Sequence, residues 1–137
     1  MTGLVVCAVV LAAASAFGLW RQRSSGRLKV RGRDAGRRLG AAELGVELGR
    51  RATLVQFSSA FCAPCRATRR TLAEVSDMID GVSHVEIDAE ERLALVRDLN
   101  ILKTPTVLVL DASGRIVTRA SGQPRKADVI AALGQAV

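Results

Sequence analysis

The chain has 137 residues, 49% of them hydrophobic, a formal net charge of +7, and four aromatic side chains, one Trp and three Phe. That is room for one domain of ordinary size, while so few aromatics serve base stacking poorly. Nor does the charge mark a nucleic-acid-binding domain: residues 21–51 hold ten Lys/Arg against three acidic residues, and residues 52–137 are neutral as a whole.

Residues 4–20 (LVVCAVVLAAASAFGLW) are uncharged. Such a run is at the short end of what spans a hydrocarbon core of about 30 Å. Trp20 suits a membrane interface, and Arg21 and Arg23 follow at once. We read residues 1–20 as a single-pass transmembrane anchor that engages the membrane through residues 4–20. A cleaved signal peptide would need a basic start, which Met1-Thr2-Gly3 lacks, although Ala14-Ser15-Ala16 could supply a cleavage motif. A buried core helix fits poorly with the arginine flank and the lack of amphipathicity. Cys7 reads as a small lipid-facing residue.

Residues 21–40 form a basic linker. Arginines beside a spanning helix are a topology signal that puts the following domain on the cytoplasmic side of the cell membrane, and they attract anionic head groups. A solvated linker without a partner is the plainer alternative. Leu28-Lys29-Val30 could pair as a short strand. Residues 41–48 suggest a short helix with Gly45 inside it.

From residue 53 the pattern is regular. Residues 53–57 are a buried strand, and residues 62–79 a helix with Leu72, Val75, Met78 and Ile79 at helical spacing, which Gly81 can end. Residues 82–88 are a second strand, 89–99 a helix, and 106–110 a third strand. The turn at residues 111–114 leads into a fourth strand over 115–120, and a last helix starts at Lys126. Strands alternating with helices imply an α/β fold with a mixed sheet covered on both faces.

The first of these helices begins at Cys62-Ala63-Pro64-Cys65. Structural zinc needs about four ligands, whereas only Cys62, Cys65 and His84, the single histidine, could assemble with a carboxylate; no metal is expected. A structural disulfide would close so short a loop that it constrains the unfolded chain little. A redox pair has a mechanism behind it. A sulfur at a helix N-terminus faces unpaired N–H groups and the positive dipole end, which stabilise a thiolate. Cys62 is then the attacking sulfur and Cys65, one turn on, the resolving one. Pro64 fits the first turn, where its missing N–H is not needed.

From about residue 41 to 137 the chain resembles the thioredoxin family. The matching residues are Phe57, residues 60–66 (AFCAPCR), residues 85–88 (VEID), Thr104-Pro105-Thr106 and Gly122. The resemblance implies a three-layer thioredoxin-like fold over residues 41–137. It implies catalytic Cys62 and Cys65 with no cofactor. It further implies a cis Pro105 against the cysteines, with Thr104 offering its backbone to an extended substrate peptide. Phe61 stands where the family commonly has tryptophan, as an aromatic lid, and Ala63-Pro64 replaces the common Gly-Pro. Gln56 and His84 stand where typical thioredoxins place an aspartate and a lysine. A lone buried ion is costly, so losing one charge favours losing the other. Gln56 and His84 are expected to form a neutral pair beneath the cysteines, from which His84 could take the Cys65 proton; a strand histidine without a role is the alternative.

The expected function is a membrane-anchored thiol–disulfide oxidoreductase reducing protein disulfides and recharged by a reductase or a low-molecular-weight thiol. One chain suffices for the pair, so a monomer is expected, with no nucleic acid bound. The alternatives are an extracytoplasmic reductase for cytochrome maturation or disulfide repair, and a non-catalytic thioredoxin-like adaptor.

Overall fold

Apolar residues on successive strand positions point to opposite faces, and here both faces are used. The computed structural model describes residues 1–24, 26–29 and 34–137. Its elements are α1 (Thr2–Ser24), β1 (Leu28–Lys29), α2 (Ala41–Leu44), β2 (Ala52–Ser58), α3 (Ala63–Met78), β3 (Val82–Asp88), α4 (Leu93–Asp98), β4 (Thr106–Asp111), β5 (Ile116–Ser121) and α5 (Lys126–Ala136). The five strands form one sheet in the order β1-β5-β4-β2-β3, with β2 and β3 parallel and the other pairs antiparallel.

Alternation along β2 and β4 divides the core. Val55, Phe57, Leu108 and Leu110 face one side and pack with Leu44, Leu95 and Leu99. Leu54, Val107 and Val109 face the other and pack with Leu72 and Val75 of α3 and with Val129 and Leu133 of α5. Full burial of each such side chain contributes about 1.5–3 kcal/mol, so a sheet with apolar rows on both faces requires helices on both. The result is the expected three-layer α/β domain with a mixed central sheet.

Two expected helices are shorter than their sequence pattern. The helix expected over residues 41–48 stops at Leu44, because Gly45 turns left-handed (φ 76°) and donates its N–H back to Ala41 O. The helix expected over residues 89–99 starts only at Leu93. Asp88 Oδ1 holds Glu90 N at 2.9 Å, and Ser58 O holds Ala89 N at 2.8 Å, so these residues are committed to a turn beside β2.

The basic segment read as a linker is built into the domain along much of its described length. Leu28 and Lys29 pair with Ala120 and Arg119 of β5. Gly26 N donates to Ser121 O (2.8 Å), Leu39 N to Gly114 O (2.9 Å) and Ile116 N to Arg37 O (3.0 Å). An edge strand is a row of unpaired main-chain groups, and this segment satisfies part of that row on β5. Val30, Arg31 and Arg33 lie outside the described residues.

Helix α1 runs past Trp20, so Arg21 and Arg23 occupy its last turn, and none of its residues is buried. At 1.5 Å per residue its 23 residues extend about 35 Å. By length and composition it could cross a membrane, and a signal sequence would have the same character.

Candidate active site

Strand β2 ends at Ser58, and residues 59–61 turn the chain into α3. Three residues therefore separate the strand from Cys62. Cys62 is the N-cap of α3, in extended conformation, and its Sγ accepts the Cys65 main-chain N–H at 3.2 Å. The two sulfurs are joined in a disulfide. Cys65 is buried at 1% exposure, whereas Cys62 is partly open. Pro64 lies in the first turn, and its carbonyl accepts from Thr68 Oγ1 at 2.8 Å.

The cap contact matters for chemistry. An N–H aimed at Sγ and the positive end of a sixteen-residue helix both favour a thiolate at Cys62 once the disulfide is opened. The more exposed sulfur is thus also the better stabilised one.

The Thr104–Pro105 peptide bond is cis. Thr104 Oγ1 lies 2.7 Å from Ser59 Oγ, which ties the proline loop to the turn just before the cysteines. On the far side, Gly122 N donates to Pro105 O at 2.8 Å. The lid expected at Phe61 is not formed. Phe61 has a left-handed backbone (φ 58°), and its ring is fully exposed. That conformation is unfavourable for a side chain without a local polar contact.

Gln56 sits beneath the cysteines on the α3 side of β2, fully buried. Its Nε2 donates to Cys65 O (2.8 Å) and to Ser58 Oγ (2.9 Å), and its Oε1 lies 3.1 Å from His84 Nε2. With the amide nitrogen donating twice, the oxygen accepts from a His84 Nε2–H, which leaves Nδ1 as an acceptor on a neutral ring. Burial lowers the His84 pKa; the Glu86 carboxylate opposes this and the Arg69 guanidinium adds to it. Glu86 and Arg69 are themselves paired in a bidentate contact at 2.5 and 2.6 Å. The structure thus brings Gln56, His84 and Cys65 together through the Cys65 carbonyl, not through its sulfur.

Sequence reasoning missed Ser59, Ser58 and Arg69. Ser59 meets Thr104 across 45 positions and Arg69 meets Glu86 across 17, with no local pattern to link them. Ser58 had a local signal, since its strand face puts it beside Gln56. Among the described residues no group of three or more His, Cys, Asp or Glu could hold a metal ion.

Residues 45–137 match the family model described as a thioredoxin-like domain. The chain belongs to the thioredoxin-like family. Thioredoxin-2 of Pyricularia oryzae is 29% identical over 73 residues, covering 53% of this chain and 43% of that protein. Thioredoxin H2 of Arabidopsis thaliana is 29% identical over 69 residues, covering 50% and 51%. The chain thus spans about half the length of these curated relatives. Among solved structures, the reduced Schistosoma mansoni thioredoxin pre-protein superposes with a TM-score of 0.56 at 21% identity, covering 65% of this chain and 82% of that one. That likeness shows the thioredoxin-like fold. The described edge residues, 26–29 and 34–39, precede the matched residues.

Proposed function

We propose that the chain is a membrane-anchored thiol–disulfide oxidoreductase that reduces protein disulfides. The observation that carries this reading is the Cys62–Cys65 pair at the start of α3, with the Cys65 N–H on the Cys62 sulfur. In the reduced enzyme the Cys62 thiolate attacks one sulfur of a substrate disulfide; a mixed disulfide forms and one substrate thiolate leaves. Cys65 then loses its proton and attacks Cys62 Sγ. The second substrate thiolate leaves, and the Cys62–Cys65 disulfide forms. The substrate gains two electrons and the enzyme loses two, which a reductase or a low-molecular-weight thiol returns.

Phe61, Thr104 and Pro105 serve as contacts for the substrate peptide, with Thr104 tied to Ser59 in the turn that leads to Cys62. Gln56 and His84 act as positioning and proton-accepting groups behind Cys65. Residues 1–20 are the anchor, residues 21–40 the basic juxtamembrane segment, which adds β1 to the sheet, and residues 41–137 the rest of the thioredoxin-like domain, on the cytoplasmic side. Support for that side comes from Arg21 and Arg23 on the last turn of α1.

The test is reduction of insulin disulfides by the full chain in detergent, with dithiothreitol as electron source. Turnover lost in Cys62→Ser supports the proposal. No turnover by the unaltered chain would favour a non-catalytic adaptor.

A further inference from the structure

Two adjoining cavities lie where the apolar helix meets the domain. One, of about 320 Å³, is lined by Gln22 and Arg23 of α1 and by Arg27, Gln123, Arg125 and Asp128. The other, of about 390 Å³, shares Arg27, Arg125 and Asp128 and adds Thr118, Ala132 and Gln135. Three guanidiniums thus face one carboxylate, and Asp128 is already engaged by Arg125 Nε at 3.2 Å. Among the described residues no carboxylate pairs with Arg23 or Arg27. Thr118 is 5% exposed, and its Oγ1 has no hydrogen-bond partner among the described residues. Thr118 lines the second cavity as a residue, with its hydroxyl turned into the protein.

We propose that these cavities are a binding site for the headgroup phosphate of an anionic phospholipid. The inference rests on α1 being a membrane span. Arg23 is three residues beyond Trp20, about 4.5 Å along the helix. The polar layer of each leaflet is about 5–8 Å deep, so a headgroup level with Trp20 comes within reach of Arg23. The donors suit a phosphate: guanidinium forks bind its oxygens in pairs. Leu28 and Ala132 give the second cavity an apolar wall, which suits the glycerol part of a lipid headgroup better than a free anion. Arg23 belongs to the anchor and Arg125 to the N-cap of α5. A headgroup held by both would tie the domain to the membrane surface in one orientation.

The experiment uses the full chain in a non-ionic detergent, titrated with dihexanoyl phosphatidylglycerol. Trp20, the one tryptophan, reports binding by its fluorescence. Saturable binding is expected. It should weaken about tenfold or more in Arg27→Gln/Arg125→Gln and about tenfold in Arg23→Gln, a change on the exposed last turn of α1. Arg70→Gln/Arg97→Gln removes equal charge elsewhere and should bind as the unaltered chain does. Equal binding of dihexanoyl phosphatidylcholine would overturn the proposal, and so would equal affinity for inorganic phosphate alone, which would make the ligand a free anion. Unchanged binding in Arg23→Gln would overturn it even if the double arginine variant failed to fold. Alkaline carbonate extraction of cell membranes separates the anchor reading: release of the chain would remove the span, whereas the titration reports on the cavities themselves.

Discussion

Asp34 and Arg119 form a bidentate ion pair inside the domain. Arg119 Nε donates to Asp34 Oδ2 at 2.9 Å and Nη2 to Oδ1 at 2.7 Å, and the two residues are only 4–5% exposed. The pair fastens the basic segment to β5. Removing one partner strands a buried charge, so Asp34→Ala should cost about 3–5 kcal/mol. Replacing both, as in Asp34→Leu/Arg119→Met, should fall much closer to the original stability. Urea unfolding of the full chain in detergent measures both. Equal losses in the single and double variants would show that the pair itself, not the orphaned guanidinium, stabilises the segment.

The Gln56–His84 contact predicts a pH dependence. The His84 pKa is lowered from 6.5 in the fold, chiefly by burial. Between the folded value and 6.5 the unfolded chain therefore binds more protons, so stability rises with pH across that window. It is fully present above about 6.5 and declines as pH falls toward the folded value. The charges facing the ring are Glu86 and Arg69, which are paired with each other in a bidentate contact. His84→Gln, which retains a hydrogen-bonding side chain, should lose this part of the slope. Urea midpoints at about pH 7.5 and 5.5 test it. If His84 also accepts the Cys65 proton, His84→Ala should slow resolution of the mixed disulfide at neutral pH; an unchanged rate would remove that role.

Order of attack follows from burial. Cys62 is partly open and Cys65 is 1% exposed, so a substrate disulfide can reach only the first. Cys65→Ser should accumulate a covalent complex with a disulfide substrate through Cys62, visible on a non-reducing gel and released by dithiothreitol. Cys62→Ser should not. Trapping by the Cys62→Ser variant instead would reverse the assignment.

Phe61 combines a left-handed backbone with a fully exposed ring. Phe61→Gly relieves about 1–2 kcal/mol of strain and incurs the extra unfolded-state freedom of glycine. Stability should therefore stay level or rise by up to about 1 kcal/mol. Insulin reduction should slow, since an apolar contact for the substrate is gone. Unchanged turnover would show that the ring touches no substrate.

Membrane sidedness is open to a direct measurement. With Cys7→Ala limiting the signal to Cys62 and Cys65, a membrane-impermeant thiol reagent applied to mildly reduced cells should label only after lysis. Labelling of intact cells would put the domain outside the membrane and favour an extracytoplasmic reductase.

Some of these features were legible along the chain and others were not, for a physical reason. Strands β2 to β5, helices α3 and α5 and the capping position of Cys62 depend on neighbours a few residues away: apolar alternation, helical spacing, a proline in the first turn. Those patterns carry the fold class and the redox pair, since a CxxC between a buried strand and a helix already sets the sulfur against free N–H groups. The Ser59–Thr104 bond, the late start of α4 against Ser58, the exposed Phe61 ring and the docking of Asp34 on Arg119 could not be read in this way. Each depends on groups brought together only when the sheet closes, across 45 positions in one case and 85 in another. The basic segment shows the difference most plainly: its composition is that of a solvated linker, and only a buried arginine on β5 and an edge in need of hydrogen bonds draw it into the domain.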